Sequence, residues 1–253
     1  MMIHDENKLK YFFDTVFPAE WKMNEVAFIS LAARNKYSDV PIKLGSRPEM
    51  LDKNVVKTRN FAEYLGKIRR LTSNGYFDAE DNEIPDCVKT IYININLSDV
   101  SSAWIKTKDE MNKIEFEALS HLVNNQPDIS HVMKMMRNLP NIWYSRIQNT
   151  FSKKRWLDID IDTTDVVDFK STLLFNLKNN FVVKTRGGYH VLLNCIDNQF
   201  NGEVNPESIR KSVEKACGSG TKEVILNKGA MVPCPGTYQA GYPVDFKKLE
   251  EYF

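Results

Sequence analysis

Apolar and acidic positions alternate through residues 155–161. This predicts a strand with Leu157, Ile159 and Ile161 on one face and Asp158, Asp160 and Asp162 on the other. A helix capped by Thr163 or Thr164 should follow, running through Val167 and Leu174, and residues 181–184 read as a second strand. Gly187 and Gly188 supply positive-φ residues for a tight hairpin, and residues 189–193 return as a third strand. Asn205 caps a further helix with Pro206 at its first position, Gly218 stops it, and residues 223–226 form the fourth strand. The sum is β-α-β-β-α-β, the ferredoxin-like, or RRM-like, unit of an α+β protein.

In that topology the helices cover one sheet face and leave the other open, with the first strand between the third and fourth. Phe181 and Val183, Tyr189, Val191 and Leu193, and Val224 and Leu226 are assigned to the helix side. Val182, Lys184, His190, Glu223 and Ile225 then go to the open face. Asp158, Asp160, His190 and Glu223 are expected to converge there.

Earlier in the chain the pattern is mixed. Helices are expected at 8–16, after Asn60 through Phe61, Leu65 and Ile68, at 114–123, and at 129–137, where Pro140 should end the last. Strands are expected at 26–31 and around Ile91, Ile93 and Ile95, with an acidic loop over 76–86. The division is an N-terminal αβ module, 1–145, and a catalytic module, 146–253.

Composition narrows the function classes. The 253 residues are 42% hydrophobic and 26% charged, and 34 Lys and Arg against 33 Asp and Glu leave a net charge of +1. That excludes a disordered tail and leaves room only for a local nucleic-acid surface. The most basic stretch is 133–155, with Lys134, Arg137, Arg146, Lys153, Lys154 and Arg155, no acid, and Trp143, Tyr144, Phe151 and Trp156 interleaved, the composition of a single-strand track. Residues 43–70 form a second basic candidate. The four cysteines have no C-x-x-C spacing, the N-terminus is too polar for a signal peptide, and no apolar run spans a bilayer. A cytoplasmic protein without a membrane partner is expected.

Two aspartates at i and i+2 on a strand repel unless a cation lies between them, so D-x-D suits half of a divalent-ion site. The turn Lys184-Thr185-Arg186-Gly187-Gly188 with His190 beyond it offers cations and glycines for a triphosphate.

These runs, W-L-D-I-D-I-D, K-T-R-G-G-Y-H-V-L-L-N and K-G-A-M-V-P-C-P-G-T, resemble the archaeo-eukaryotic primase superfamily, in particular the primase-polymerases of plasmids, phages and mobile elements. The resemblance covers 151–245 and implies an RRM-like catalytic module packed on an N-terminal αβ module. It implies two Mg²⁺ or Mn²⁺ ions on Asp158 and Asp160, and nucleotide phosphates on His190. The third motif calls for an acid, for which counting gives Glu223, with Asp245 as the fallback. The implied activity is nucleotidyl transfer from nucleoside triphosphates on a single-stranded DNA template. There is no G-x-x-x-x-G-K-[ST] pattern, so unwinding is assigned to a separate helicase. A degenerate primase-like or RRM-like nucleic-acid-binding subunit stays open as the alternative, as does another D-x-D metal enzyme.

Overall fold

The computed structural model describes residues 2–34, 49–78, 80–123, 130–198, 200, 204–227 and 231–252. Part of the second basic stretch, 43–48, lies outside them. The chain is a mixed α+β protein built on two antiparallel sheets.

The first sheet is organised on β1 (Glu25–Ala33), whose nine residues are all buried, as an uninterrupted apolar run requires. Beside it lie β2 (Glu49–Val56), β3 (Lys89–Asn94) and the short β4 (Ser98–Asp99). Two helices bring apolar stripes to this sheet. Asp5 caps α1 (Glu6–Val16) by accepting from the Lys8 amide at 2.9 Å, and Asn60 caps α2 (Phe61–Ser73) by accepting from the Ala62 amide at 2.8 Å. Leu9, Phe12, Phe13, Tyr64, Ile68 and Leu71 bury their side chains from these helices. Elsewhere Val26 and Phe28 pack with Ala103 and Ile147 of two long helices, α3 (Val100–Val123) and α4 (Ser130–Asn149).

Pro140 does not end α4 but sits exposed inside it. A proline removes one helical hydrogen bond, yet Trp143, Tyr144 and Ile147 beyond it pack against the sheet, and this contact carries the helix through.

The second sheet contains β5 (Trp156–Thr163), β6 (Phe181–Thr185), β7 (Gly188–Asn194), β8 (Thr221–Asn227) and, at its edge, β12 (Asp245–Lys248). Its order is β12-β6-β7-β5-β8, so β5 lies between β7 and β8 as the sequence requires. The helix α5 (Pro206–Ala216) is closed by a capping box between Asn205 and Ser208. The helix expected after Thr163 is instead a pair of 3₁₀ turns, Phe169–Ser171 and Leu173–Asn176. Asp168 and Thr172 accept from the Lys170 and Leu174 amides, a local alternative to α-helical bonding.

Three short strands, β9 (Met231–Pro233), β10 (Tyr238–Gln239) and β11 (Tyr242–Pro243), return to the first sheet. There β9 and β10 pair with β3. The division at 145/146 is thus crossed twice by the chain, since 231–243 lie in the first sheet and β12 in the second.

The face of the second sheet opposite α5 is also largely covered. Trp156, Phe181, Val183, Leu192 and Phe246 join one core with α1 and α2, while Ile159, Ile161, Val182, Val191 and Val213 form a separate core under α5. The alternation assigned to β6 is therefore inverted. Register pairs Val183 with His190 and Lys184 with Tyr189, and directly paired residues share a face. The two-residue turn is Arg186-Gly187, and of the two glycines only Gly188 has a positive φ, +150°.

Candidate active site

The uncovered part of that face forms one wall of a cleft of about 170 Å³ between the sheets. Asp160 and Asp162 of β5, His190 of β7, and Glu223, Ile225 and Asn227 of β8 line it. The opposite wall comes from the first sheet: Arg34 just beyond β1, Tyr92 of β3, Pro233 of β9 and Gln239 of β10. The registers explain the grouping, because Asp160 is paired with His190 on one side and Ile225 on the other, and Asp162 with Gly188 and Glu223.

Asp158 lies behind this surface, with no exposed area. Its carboxylate accepts from Asn227 Nδ2 at 3.2 Å and lies 3.1 and 3.2 Å from His190 Nδ1. Burial works against a charge on His190, but Asp158, and then Asp160 at 3.7 Å from Nδ1, outweigh it and raise the imidazole to about 9. The ring is therefore an imidazolium near neutrality. With Nδ1 held by Asp158, Nε2–H is the donor left for a ligand.

Asp160 has the opposite imbalance. Burial raises its pKa, His190 and Arg34 oppose this, and Asp158 and Asp162 reinforce it. A desolvated carboxylate between two like charges is relieved by a cation, so the donor chemistry of Asp160, Asp162 and Glu223 fits a hard divalent ion. They line the cleft as separate carboxylates; among the described residues no three Asp, Glu, His or Cys side chains are grouped so that together they could hold a metal ion.

The expected site residues divide into four groups. Asp160, His190, Glu223 and Gly187 line the cleft. Asp158 and Gly188 support it from behind: a Cβ on Gly188 would lie 1.9 Å from the Ile161 carbonyl oxygen, so only glycine allows β7 this close to β5. Arg186 holds the hairpin tip to the first sheet, its amide donating to Gln239 Oε1 at 2.7 Å and its Nη1 to the Ala240 carbonyl at 2.7 Å. Lys184 is the correction, because it faces the α5 side with its ammonium 5.8 Å from the Tyr189 ring centroid.

Asp245, the fallback third acid, pairs with Lys8 of α1 on the far edge of the sheet and does not line the cleft. Burial opposes its charge, but Lys8 holds its pKa below the ordinary value. Asp162 does line the cleft, while Asp165, beyond the strand, accepts from the Gly220 amide at 2.9 Å.

Arg34, Tyr92, Gln239 and Asn227 are the residues that sequence reasoning missed. Arg34 had a signal of its own, as the first charge after an apolar strand. Its guanidinium lies 5.5 Å from the Tyr92 ring centroid, and its Nε is buried without a hydrogen-bond partner.

The basic stretch does not form one stripe. Lys134 and Arg137 are exposed on α4, Arg146 pairs with Glu110 of α3 at 3.5 Å, and Lys153 and Arg155 edge a separate cavity, with Lys154 exposed between them. Trp156 is core, its indole donating to the Val16 carbonyl at 2.8 Å, and Trp143 packs edge-on against Trp104. No helix among the described residues is long and apolar enough to cross a membrane. Comparison of the chain with family models, with curated proteins and with solved structures finds no match.

Proposed function

We propose that the cleft carries out template-directed nucleotidyl transfer, the activity of a DNA primase or primase-polymerase on an RRM-like module. One observation carries the reading: three carboxylates, Asp160, Asp162 and Glu223, share a cleft with two cations, His190 and Arg34. Carboxylates alone suit a metal and cations alone suit an anion. Side by side they suit a metal-bound triphosphate.

Asp160, with one neighbouring carboxylate from Asp162 or Glu223, would hold Mg²⁺ or Mn²⁺, the rest of the ion's shell coming from the triphosphate and water. When bound, such ions activate the attacking 3′-hydroxyl and stabilise the leaving pyrophosphate. His190 donates from Nε2 to a phosphate oxygen, with Asp158 fixing the ring and keeping it charged. Arg34 approaches the same anion from the opposite wall, so the nucleotide is gripped by both sheets. Lys134, Arg137 and Lys154, exposed outside the cleft, are candidates for the single-stranded template, and unwinding is left to a separate helicase.

The test is incubation of the purified chain with a single-stranded template, Mn²⁺ and labelled nucleoside triphosphates, with and without primer. Template-dependent incorporation that disappears in Asp160→Asn supports the reading. A folded protein that incorporates nothing under any of these conditions overturns it.

A second reading, a non-catalytic nucleic-acid-binding subunit of the same architecture, is favoured by the enclosure of Asp158. One carboxylate of D-x-D is fully engaged by His190 and Asn227. Template binding without incorporation supports this second reading.

A further inference from the structure

A groove of about 690 Å³ opens on the face of the first sheet that α3 and α4 only partly cover, and it shares no lining residue with the cleft. Val26 of β1 and Val55 of β2 line it from the sheet, and Trp143, Tyr144 and Ile147 line it from α4. Val100 and Ser101 at the start of α3 and Met23 ahead of β1 complete the apolar surface. Met23 is fully exposed, and Trp104, edge-on against Trp143 at 5.7 Å, is half exposed. Large apolar side chains gathered in the open around a concave surface mark an interaction site.

The rim carries charge of one sign. Residues 53, 55 and 57 point the same way, so Lys53 and Lys57 stand on either side of Val55, about 13 Å apart along the chain. Lys57 is exposed, and the Lys53 ammonium lies 5.0 Å from the Tyr144 ring centroid and donates to Asn141 Oδ1 at 2.6 Å. Neither makes an ion pair with a described residue. Burial lowers the pKa of Lys53, with the Asp52 charge opposing, so a further carboxylate would relieve its ammonium. The acids next to the groove are engaged: Asp99 accepts from Asn24 Nδ2 and the Ser102 amide, both at 3.0 Å, and Glu63 from the Lys57 and Thr58 amides at 3.1 and 3.2 Å.

The same details say what kind of occupant fits. A nucleobase brings polar edges, but apart from Lys57 and the aromatic residues the polar side chains of the lining are Asn24, which already donates to Asp99, and Ser101. An added strand would seek the amides of β2, the last strand of its sheet, yet those of Lys53 and Val55 donate to Asp52 Oδ1 and Asn54 Oδ1 at 2.7 and 3.0 Å. An apolar ridge of side chains flanked by carboxylates matches both the groove and its rim.

We propose that this groove docks an acidic amphipathic helix of a partner protein. The apolar ridge of that helix lies over Val26, Val55 and Ile147, and its carboxylates meet Lys53 and Lys57. The proposal is independent of the reading of the cleft.

The experiment is selection of a displayed library of random hexadecapeptides on the purified full chain, followed by fluorescence anisotropy of the enriched peptides. Enriched sequences are expected to combine Asp or Glu with large apolar residues at helical spacing, and to bind less tightly as salt rises. Met23→Asp, at a fully exposed position, should weaken binding at least tenfold, as should Lys53→Glu combined with Lys57→Glu. Lys211→Glu, on α5, should leave it unchanged. If the double lysine variant fails to fold, Lys57→Glu alone, on an exposed side chain, should weaken binding about threefold. Fluorescein-labelled oligo(dT) is the second probe, and sedimentation equilibrium of the chain alone tests for self-association. Oligo(dT) binding lost in Met23→Asp and Lys57→Glu makes the occupant a nucleic acid, and self-association lost in the same variants makes it a second copy; either overturns the proposal. So does a library that yields no acidic amphipathic sequence, or binding that ignores Met23→Asp.

Discussion

His190 and Asp158 form a buried ion pair across two neighbouring strands, the imidazole Nδ1 lying 3.1 Å from one carboxylate oxygen and 3.2 Å from the other. Asp160, two residues further along the same strand, faces the cleft instead. The two aspartates of one short motif therefore have different tasks, the first holding the imidazole from behind and the second, on the function proposed above, meeting a ligand in the cleft.

Exchanging each for asparagine should separate those tasks. Asp158→Asn removes one partner of a buried pair and should cost about 3 kcal/mol or more of folding stability. Asp160→Asn removes a carboxylate that burial and two like charges already penalise, so stability should hold or rise while nucleotide incorporation is lost. Urea denaturation alongside the incorporation assay reads both. Equal losses of stability in the two variants would contradict the division.

Stability should also fall on the alkaline side. With the folded-state pKa of His190 raised to about 9 from an ordinary 6.5, its contribution is complete below about pH 6.5 and is lost as pH rises through about 9. The expected loss between pH 6.5 and 9.5 is on the order of 3 kcal/mol, measured by denaturant unfolding. His190→Gln should flatten that decline.

Two glycines should respond in opposite directions to alanine. Gly188→Ala places a methyl against the Ile161 carbonyl at a φ of +150° and should destabilise the chain by about 3 kcal/mol or more. Gly66, inside α2, has nothing within 4 Å of an added Cβ, and Gly66→Ala should stabilise it by about 1 kcal/mol. Thermal melts of the two variants decide the matter.

Arg34→Met should weaken nucleoside triphosphate binding about tenfold, the value of one charge-assisted hydrogen bond. It should also move the His190 titration upward, because the guanidinium at present opposes the imidazolium charge. Nucleotide titration and the NMR titration of the imidazole measure the two effects separately.

Much of the second sheet was legible in the sequence because its pattern is strict. The alternation in W-L-D-I-D-I-D gave the faces of β5, and Asn205-Pro206 gave the start of α5 with its cap. Lys184 was misplaced because Phe181, Val182 and Val183 are all apolar, and a strand buried on both faces shows no alternation to read. Hairpin arithmetic holds the missing information: a two-residue turn makes Lys184 share a face with Tyr189, whatever its charge suggests. The helix after β5 was lost to side chains that bond their own backbone. Tyr92, Gln239 and Arg34 could not be placed, because nothing local in a sequence tells which residues of one sheet will stand opposite another.

The return of 231–243 to the first sheet sets an order of events in synthesis. Thr90 must wait for Gln239, and Tyr92 for Pro233, before the edge of β3 is paired. The wall facing Asp160 is completed by the same residues, so a ribosome-bound chain that has reached only α5 can have its acidic strand in place and still lack part of the opposite wall. Those pairings join residues roughly 140 to 150 positions apart in the sequence, so the opposite wall of the cleft is finished only once the C-terminal strands have been made.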